Sequence, residues 1–505
     1  MSNIHHAGDS ALLVDLGAAD GRSLHAATRV VRALNGVVAC ITGERSLYVI
    51  FDDRHAPDVS SVERALQSTI ADVAQSTAVH LLPVSFAPAC SLDLDELLAH
   101  AALDRAAFMQ RLASLELRAR HLGFRAGFAY LEGWPEEWRL PRRATSRALV
   151  TAGSFAIAAT RAGFYPIDSP GGWNVLGRTS ATLWNPTISP PNLIAAGDTI
   201  IVAPTLVPLA PPPLPQMNTR IDHPVAEIVE PGQLTFVTPA CDWSRLDAGL
   251  AEGGPFDDVA AALANAAAGN RVDAAVLECT LVGPTLRMLE PATLAWSGGA
   301  VTLRVNCVAI DVTRSFVVDR GDVVRIGRLD DSLRGYLALA GGFDSGLPRF
   351  MPPRRLSAGD LVGNSRGTAI ASSLRITSAR RDRLRIRVIA GPHVIEPALL
   401  RELTTREWIV TASLDRVGIR LRASGSFSTS PPADLPSIGA QCGSVQWHPD
   451  GSLVILGPDH PITGGYLQPL TVARDDRWKL GCVMPEERIT LSVENGRRAV
   501  ERQYP

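Results

Sequence analysis

Residues 165–179 read YPIDSPGGWNVLGRT. Two prolines, three glycines, Trp173 and Arg178 are packed between apolar, strand-like stretches. A plain hairpin needs only two turn residues. This loop is longer and carries Ser169, Asn174, Arg178 and Thr179, polar side chains of the kind that gather into a site when a sheet holds the loop. From Gly123 to GDTIIVAP (197–204) no helical period survives. Short β-like runs alternate with Gly/Pro turns, which predicts a compact β barrel or sandwich.

Upstream of Gly123 the pattern differs. SALLVDLG is a strand running into a turn, and RSLHAATRVVRALNG has helical spacing with a Gly stop. SLYVIFD is a second strand, and DVSSVERALQSTIADVAQ a second amphipathic helix capped by Asp58 or Ser60. SLDLDELLAHAALDRAAFMQRLASL supplies one or two more helices. Downstream, APTLVPLAPPPLPQMNTRIDHP (203–224) has the proline density of an extended linker. Beyond it, PFDDVAAALANAAAGN is a helix with acidic residues in its first turn and a Gly-Asn stop. Most of the remainder reads as strands, and the basic run Arg380–Arg387 alternates with apolar residues as a solvated strand face does. The fold class is therefore α+β and β-rich. The expected units are a small α/β domain (1–80), a β domain (81–204), a Pro-rich linker (205–224), a β lobe (225–375) and a second β lobe (376–505).

Composition removes several function classes. The chain has 505 residues and a formal net charge of -2, so electrostatics favour neither nucleic acid nor an anionic membrane. No apolar run approaches the roughly 20 residues that span a bilayer, and the first residues lack a secretory signal's pattern; a cytoplasmic protein is expected. The 7 cysteines form no C-x-x-C pair, which argues against a disulfide framework or a zinc knuckle. Lys479 is the only lysine, so no Walker loop exists. GNSRG (363–367) fits G-x-S-x-G without the strand–helix flanks of a nucleophile elbow. His5-His6 is expected to be a frayed end, and no metal site is expected. GSVQWHPDGSLVILGPDHPITGGYLQP (443–469) reads as two strands and a loop whose Gly464-Gly465 pair lets backbone N–H groups approach an anion.

These stretches together resemble a known family. GDSALLVDLG, GFRAGFAYLEGWP, AGSFAIA and GFYPIDSPGGWNVLGRT resemble the B component of bacterial 5-oxoprolinase, the KipI or allophanate-hydrolase subunit 1 family. LANAAAGNRVDAAVLECTLVGPTLRM, YLALAGGFD, LDRVGIRLRASG and GSVQWHPDGSLVILGPDHPITGGYLQPLTVARDD resemble the C component, the KipA or allophanate-hydrolase subunit 2 family. The chain thus resembles a B–C fusion, and the same pair forms the carboxyltransferase domain of urea carboxylase. The resemblance implies cyclophilin-like β barrels after the small α/β domain. It implies a pocket lined by Ser169, Gly171, Gly172, Trp173, Asn174, Arg178 and Thr179 from the first half, and by Arg416, Gly418, Gln446, Thr463, Gly464, Gly465 and Tyr466 from the second. Arg178 and the Gly464-Gly465 backbone are expected to stabilise an anion, with Asp257 as acid or base. The implied activity is ATP-dependent opening of a small lactam or amide with a separate A component. The alternative is a KipI/KipA-like regulator that binds a sensor histidine kinase. Expected partners are a protein like the 5-oxoprolinase A component, a small amide or lactam, and further copies of the chain. ATP is the implied cofactor; biotin is not expected on this chain, because Lys479 lacks the A-M-K-M setting. The sequence departs from the family at Thr238, Pro239, Cys241 and Asp242, where Gln, Asp, Gly and Arg are expected. It departs again at Arg125-Ala126, and at His460 and Leu467, where the pattern has Arg and Pro.

Overall fold

A computed structural model describes residues 3–67, 78–213, 221–370, 372–376, 382–425, 427, 430–432 and 435–494. The first unit is an antiparallel four-stranded sheet in the order Asn3–His6, Ala11–Asp15, Ser46–Phe51, Val37–Thr42. His5 and His6 pair with Leu13 and Leu12, so this end is an edge strand and not a frayed tail. The helix Gly21–Arg32 packs on the sheet through Leu24, Ala27 and Val31, and Asp20 caps it by accepting from the Ser23 N–H at 2.8 Å. A second helix, Val59–Gln67, is capped by Asp58. The rest of the predicted second helix, 68–75, and part of the predicted linker, 214–220, lie outside the described residues.

A closed seven-stranded barrel follows, bounded by Val79–Ser85 and Thr199–Thr205. These two strands, first and last in the chain, pair in parallel and close it. Its interior is filled by buried Phe86, Phe108, Trp138 and Phe155 among aliphatic side chains, each contributing roughly 1.5–3 kcal/mol by leaving water. The predicted helical stretch after its first strand splits into Leu94–Ala101 and Arg105–Ala113, because Ala102 takes a left-handed φ of 51° and Asp104 caps the second helix.

The last barrel, from Arg385–Ala390 to Arg488–Val493, repeats this plan strand for strand. Its first and last strands also pair in parallel. In the first barrel the short pair Arg147–Val150 with Ser169–Gly171 stands beside the main sheet; in the last, Ile438–Gly439 with Thr463–Gly464 does. The two Gly-Gly loops are therefore equivalent: Gly171-Gly172-Trp173 and Gly464-Gly465-Tyr466 hold the same place in two copies of one design.

Between the barrels lie a seven-stranded and a six-stranded sheet that share one core, with Val237, Leu277 and Leu337 from one sheet meeting Ile228, Leu286 and Val324 from the other. The helix Asp258–Ala267 covers the outer face of the six-stranded sheet through its alanines. The halves are joined by a further apolar set, in which Leu13, Ile41 and Tyr48 of the N-terminal sheet pack on Leu246, Ile438 and Ile462. Backbone bonds from Gly8 to Ala390 and from Glu44 to Ser437 stitch the same junction.

Candidate functional site

Gly123 ends the strand Glu116–Leu122 and opens the turn of GFRAG. A side chain there would collide with Thr463: an ideal Cβ would sit 2.2 Å from Thr463 Oγ1. The glycine thus lets the first barrel press directly on the Thr463–Gly464 loop of the last. The next residue, Phe124, is held at φ 65°, a conformation that strains a bulky residue and recurs at functional sites. Its ring meets Phe128 and Tyr165 edge-on at 5.4 and 6.2 Å, and Phe128 in turn meets Trp173 at 5.4 Å. A continuous aromatic path therefore runs from the loop 165–179 to the seam between the barrels.

The opposite wall of the seam comes from the last barrel. In the strand Ser444–Trp447, Trp447 points into the core, so Gln446 and His448 share the outer face. The Gln446 side chain makes no hydrogen bond to another described residue. Gly464 lets it approach, since a Cβ on Gly464 would lie 3.0 Å from Gln446 Nε2. Tyr466 stacks on the His448 ring at 3.9 Å. Burial, helped by Arg420, holds His448 below the usual imidazole value, so it is neutral near pH 7.

The sequence-predicted residues fall into three places. Thr463, Gly464, Gln446 and Tyr466 stand at the seam, while Gly465 packs against the Leu435 carbonyl. Trp173, Gly171 and Gly172 build the loop at the far end of the aromatic path: Gly171 yields to the Tyr165 hydroxyl, and Gly172 O accepts from Arg143 N–H. Ser169 is buried, and Asn174 is a clamp that donates to the Pro141 carbonyl at 2.8 Å. Thr179 is buried beside Gly153. Arg178 is not brought to the seam. It lies at the other end of its strand, opposite Ser85 and Ser154, and among the described residues no hydrogen bond or ion pair joins it to 459–466. The strand Asn174–Arg178 spans the barrel wall, which separates its two ends.

Arg416 and Asp257 belong to a third, largely buried network, in which Asp459 alone keeps a quarter of its side chain exposed. Arg416 donates to Glu278 at 2.7 Å, to Asp459 at 2.7 and 3.0 Å, and to the Gly254 carbonyl. Tyr336 donates to Glu278 and accepts from the Asp257 N–H. Burial pushes Glu278 up, but Arg416 and Arg334 outweigh it and hold the carboxyl below its ordinary range. Asp257 caps the helix Asp258–Ala267 at zero exposure, near the Cys482 thiol. In this structure it is a positioning group of the fold and not an acid or base at the seam. Gly418 serves the hairpin turn beside Arg416, where its N–H is held by Asp415.

Of the departures at Thr238–Asp242, Pro239, Cys241 and Asp242 line a cavity of about 280 Å3. Asp242 does not leave a bare negative charge there: Arg349 pairs with it, at 2.8 Å for one of two contacts, and outweighs the effect of burial to keep it below the usual range. His460 is buried against Glu252 at 3.1 Å. Neither Glu252, His448, Asp93 nor Gly123 was singled out from sequence. Asp93 ties the loop 165–179 down by accepting from Val175 N–H, Arg143 and Arg147.

Comparison with known proteins defines the class. The family "Carboxyltransferase domain, subdomain C and D" matches residues 2–194, and "Carboxyltransferase domain, subdomain A and B" matches 248–493. The B component of 5-oxoprolinase from Escherichia coli O157:H7 is 32% identical over 205 residues, covering 39% of this chain and 93% of that protein. The C component from Escherichia coli K12 is 24% identical over 296 residues, covering 55% and 94%. The crystal structure of TTHA0988 superposes with a TM-score of 0.83 at 27% identity, covering 96% of this chain and 99% of that one. The chain also matches the urea amidolyase of Lachancea kluyveri at 26% identity, but spans only 17% of it. A urea carboxylase relative is spanned over 24% of its length. The chain belongs to the carboxyltransferase-domain family, with the C/D-type half first and the A/B-type half second, as a fused counterpart of the B and C components of 5-oxoprolinase. Among the described residues no helix is long and apolar enough to cross a membrane.

Proposed function

We propose that this chain works as the joined B and C components of a lactam-opening enzyme, acting on 5-oxoproline with ATP and a separate A component. The observation that carries this reading is the Gln446 carboxamide, 6% exposed beside the seam and without a hydrogen-bond partner among the described residues. A lactam presents N–H and C=O side by side in the cis arrangement. A carboxamide answers both with one acceptor and one donor. Gly464 keeps the approach open, and Thr463 Oγ1 stands beside it. Arg125, on the turn that carries Gly123 and without an ion pair among the described residues, supplies a cation for the substrate carboxylate. His448, neutral near pH 7 and stacked on Tyr466, is placed to accept a proton as ring opening proceeds.

ATP in this reading supplies activation of the lactam carbonyl oxygen. Lys479, the single lysine, is already held by Asp476 at 2.9 Å and the Arg385 carbonyl at 2.7 Å, so it is not free to hold phosphate. The test is calorimetric titration of the full chain with 5-oxoproline. Saturable binding that falls at least tenfold in Gln446→Ala supports the reading. Binding that ignores the substitution, or no binding with or without an A component, rejects it and favours a non-catalytic regulatory role.

A further inference from the structure

We propose that the cleft between the two lobes of the second half binds a small organic carboxylate with an apolar body, at a place separate from the seam. The cleft encloses about 570 Å3, within the range of small-molecule sites. Strand register builds its floor. Phe236 lies opposite Arg355 on one side and Glu278 on the other; Leu234 lies opposite Thr280, which lies opposite Arg334. Because side chains alternate along a strand, these residues stand on one face of the six-stranded sheet. The facing wall is the hairpin turn that carries Leu414, Arg416 and Val417, with Asp459 beside it.

The charges in the cleft are unequally spent. Arg416 has its donors committed to Glu278, Asp459 and Gly254 O. Arg334 is 3% exposed, and its Nε makes no hydrogen bond to a described residue, although Glu278 lies 3.7 Å away. Arg355 has no side-chain hydrogen bond or ion pair among the described residues. Of the acids that face the space, Glu278 and Asp459 are engaged by Arg416, and Asp415 Oδ1 accepts from the Val417 and Gly418 N–H groups. Two guanidiniums with donors to spare therefore border a space walled by the Phe236 ring, Leu414 and the half-exposed Val417. A planar guanidinium fork matches a carboxylate, and the apolar walls match hydrocarbon behind it. A ligand there touches both lobes and stabilises their arrangement by mass action.

The experiment is titration calorimetry of the full chain with hexanoate as probe, hexanamide as its neutral counterpart and inorganic phosphate as a rival anion. The proposal expects saturable hexanoate binding and none for hexanamide. It expects at least a tenfold loss in Arg355→Ala, partial retention in Arg355→Lys, and no change in Gln446→Ala. Arg355 is exposed, so its variants keep the fold. Absent hexanoate binding, binding indifferent to Arg355→Ala, or tighter binding of phosphate than of hexanoate each overturns it. Loss of hexanoate binding in Gln446→Ala would place the ligand at the seam and overturn the separate site alone.

Discussion

Gly123→Ala tests how closely the two barrels meet. An added methyl would sit 2.2 Å from Thr463 Oγ1, 3.2 Å from Cγ2 and 3.3 Å from Cβ. The first of these is far inside any real contact, and Thr463 is β-branched and buried at 7% exposure, so it has few rotamers in which to retreat. Gly123 does not have a positive φ, so the backbone accepts alanine; on unfolded-state entropy alone the change would stabilise by about 0.4–1 kcal/mol. Overpacking costs roughly 1–3 kcal/mol, which leaves a net destabilisation of roughly 0–2.6 kcal/mol. Thr463→Ala removes Oγ1 and Cγ2 and leaves only the 3.3 Å contact. The double variant should therefore recover most of the loss, with a favourable coupling of about 1–2 kcal/mol. A chain of several domains does not unfold in one step, so the reading is the shift in unfolding midpoint across the four proteins of the cycle, together with their 5-oxoproline affinity. Additive effects in the double variant would refute the close approach from which the site is built.

Trp173→Ala should cost roughly 3–5 kcal/mol, because the ring is 8% exposed and meets both Phe128 and Tyr130 edge-on; thermal unfolding checks it, and a shift of under a degree would contradict it. The pair His460 and Glu252 gives a pH signature. Burial opposes the imidazolium, yet Glu252 holds His460 above its ordinary value, so this stabilisation is full below about pH 6.5 and is lost as pH rises through the raised folded value. Glu252 opposes its own burial with help from His460 and titrates below its ordinary value; its share is present above about pH 4.3 and lost as pH falls through the lowered value. The difference in melting temperature between wild type and His460→Gln should be largest between these limits and shrink at alkaline pH; a constant difference would count against the ion pair. Lys479 is buried and paired with Asp476, so streptavidin blotting of the purified chain should give no signal.

Much of the fold was legible because it rests on local signals. The helix Asp258–Ala267 announces itself through acidic residues at one end and Gly269-Asn270 at the other, and both barrels through short apolar runs broken by glycine and proline. What sequence could not deliver is pairing between distant strands. Glu278, in VLECT, reads like any acidic residue on a strand's wet face. It is fully buried because register sets it between Phe236 and Tyr336, and because Arg416, 138 residues on, reaches it. Gly123 reads as a turn glycine, since nothing local reports a threonine in the distant last barrel. Arg178 shows the converse: its motif placed it in the loop, but a five-residue strand carried its side chain to the far end of the barrel wall.

The seam is proposed to hold a lactam that is opened with help from an A component. The most direct measurement is glutamate release from 5-oxoproline and ATP by the full chain mixed with the A component of a 5-oxoprolinase, set beside the same mixture carrying Gln446→Ala. ATP-dependent glutamate is expected from the wild type, and at least a tenfold lower rate from the variant. Absence of glutamate above background in the wild-type mixture, or equal rates in both, would contradict it.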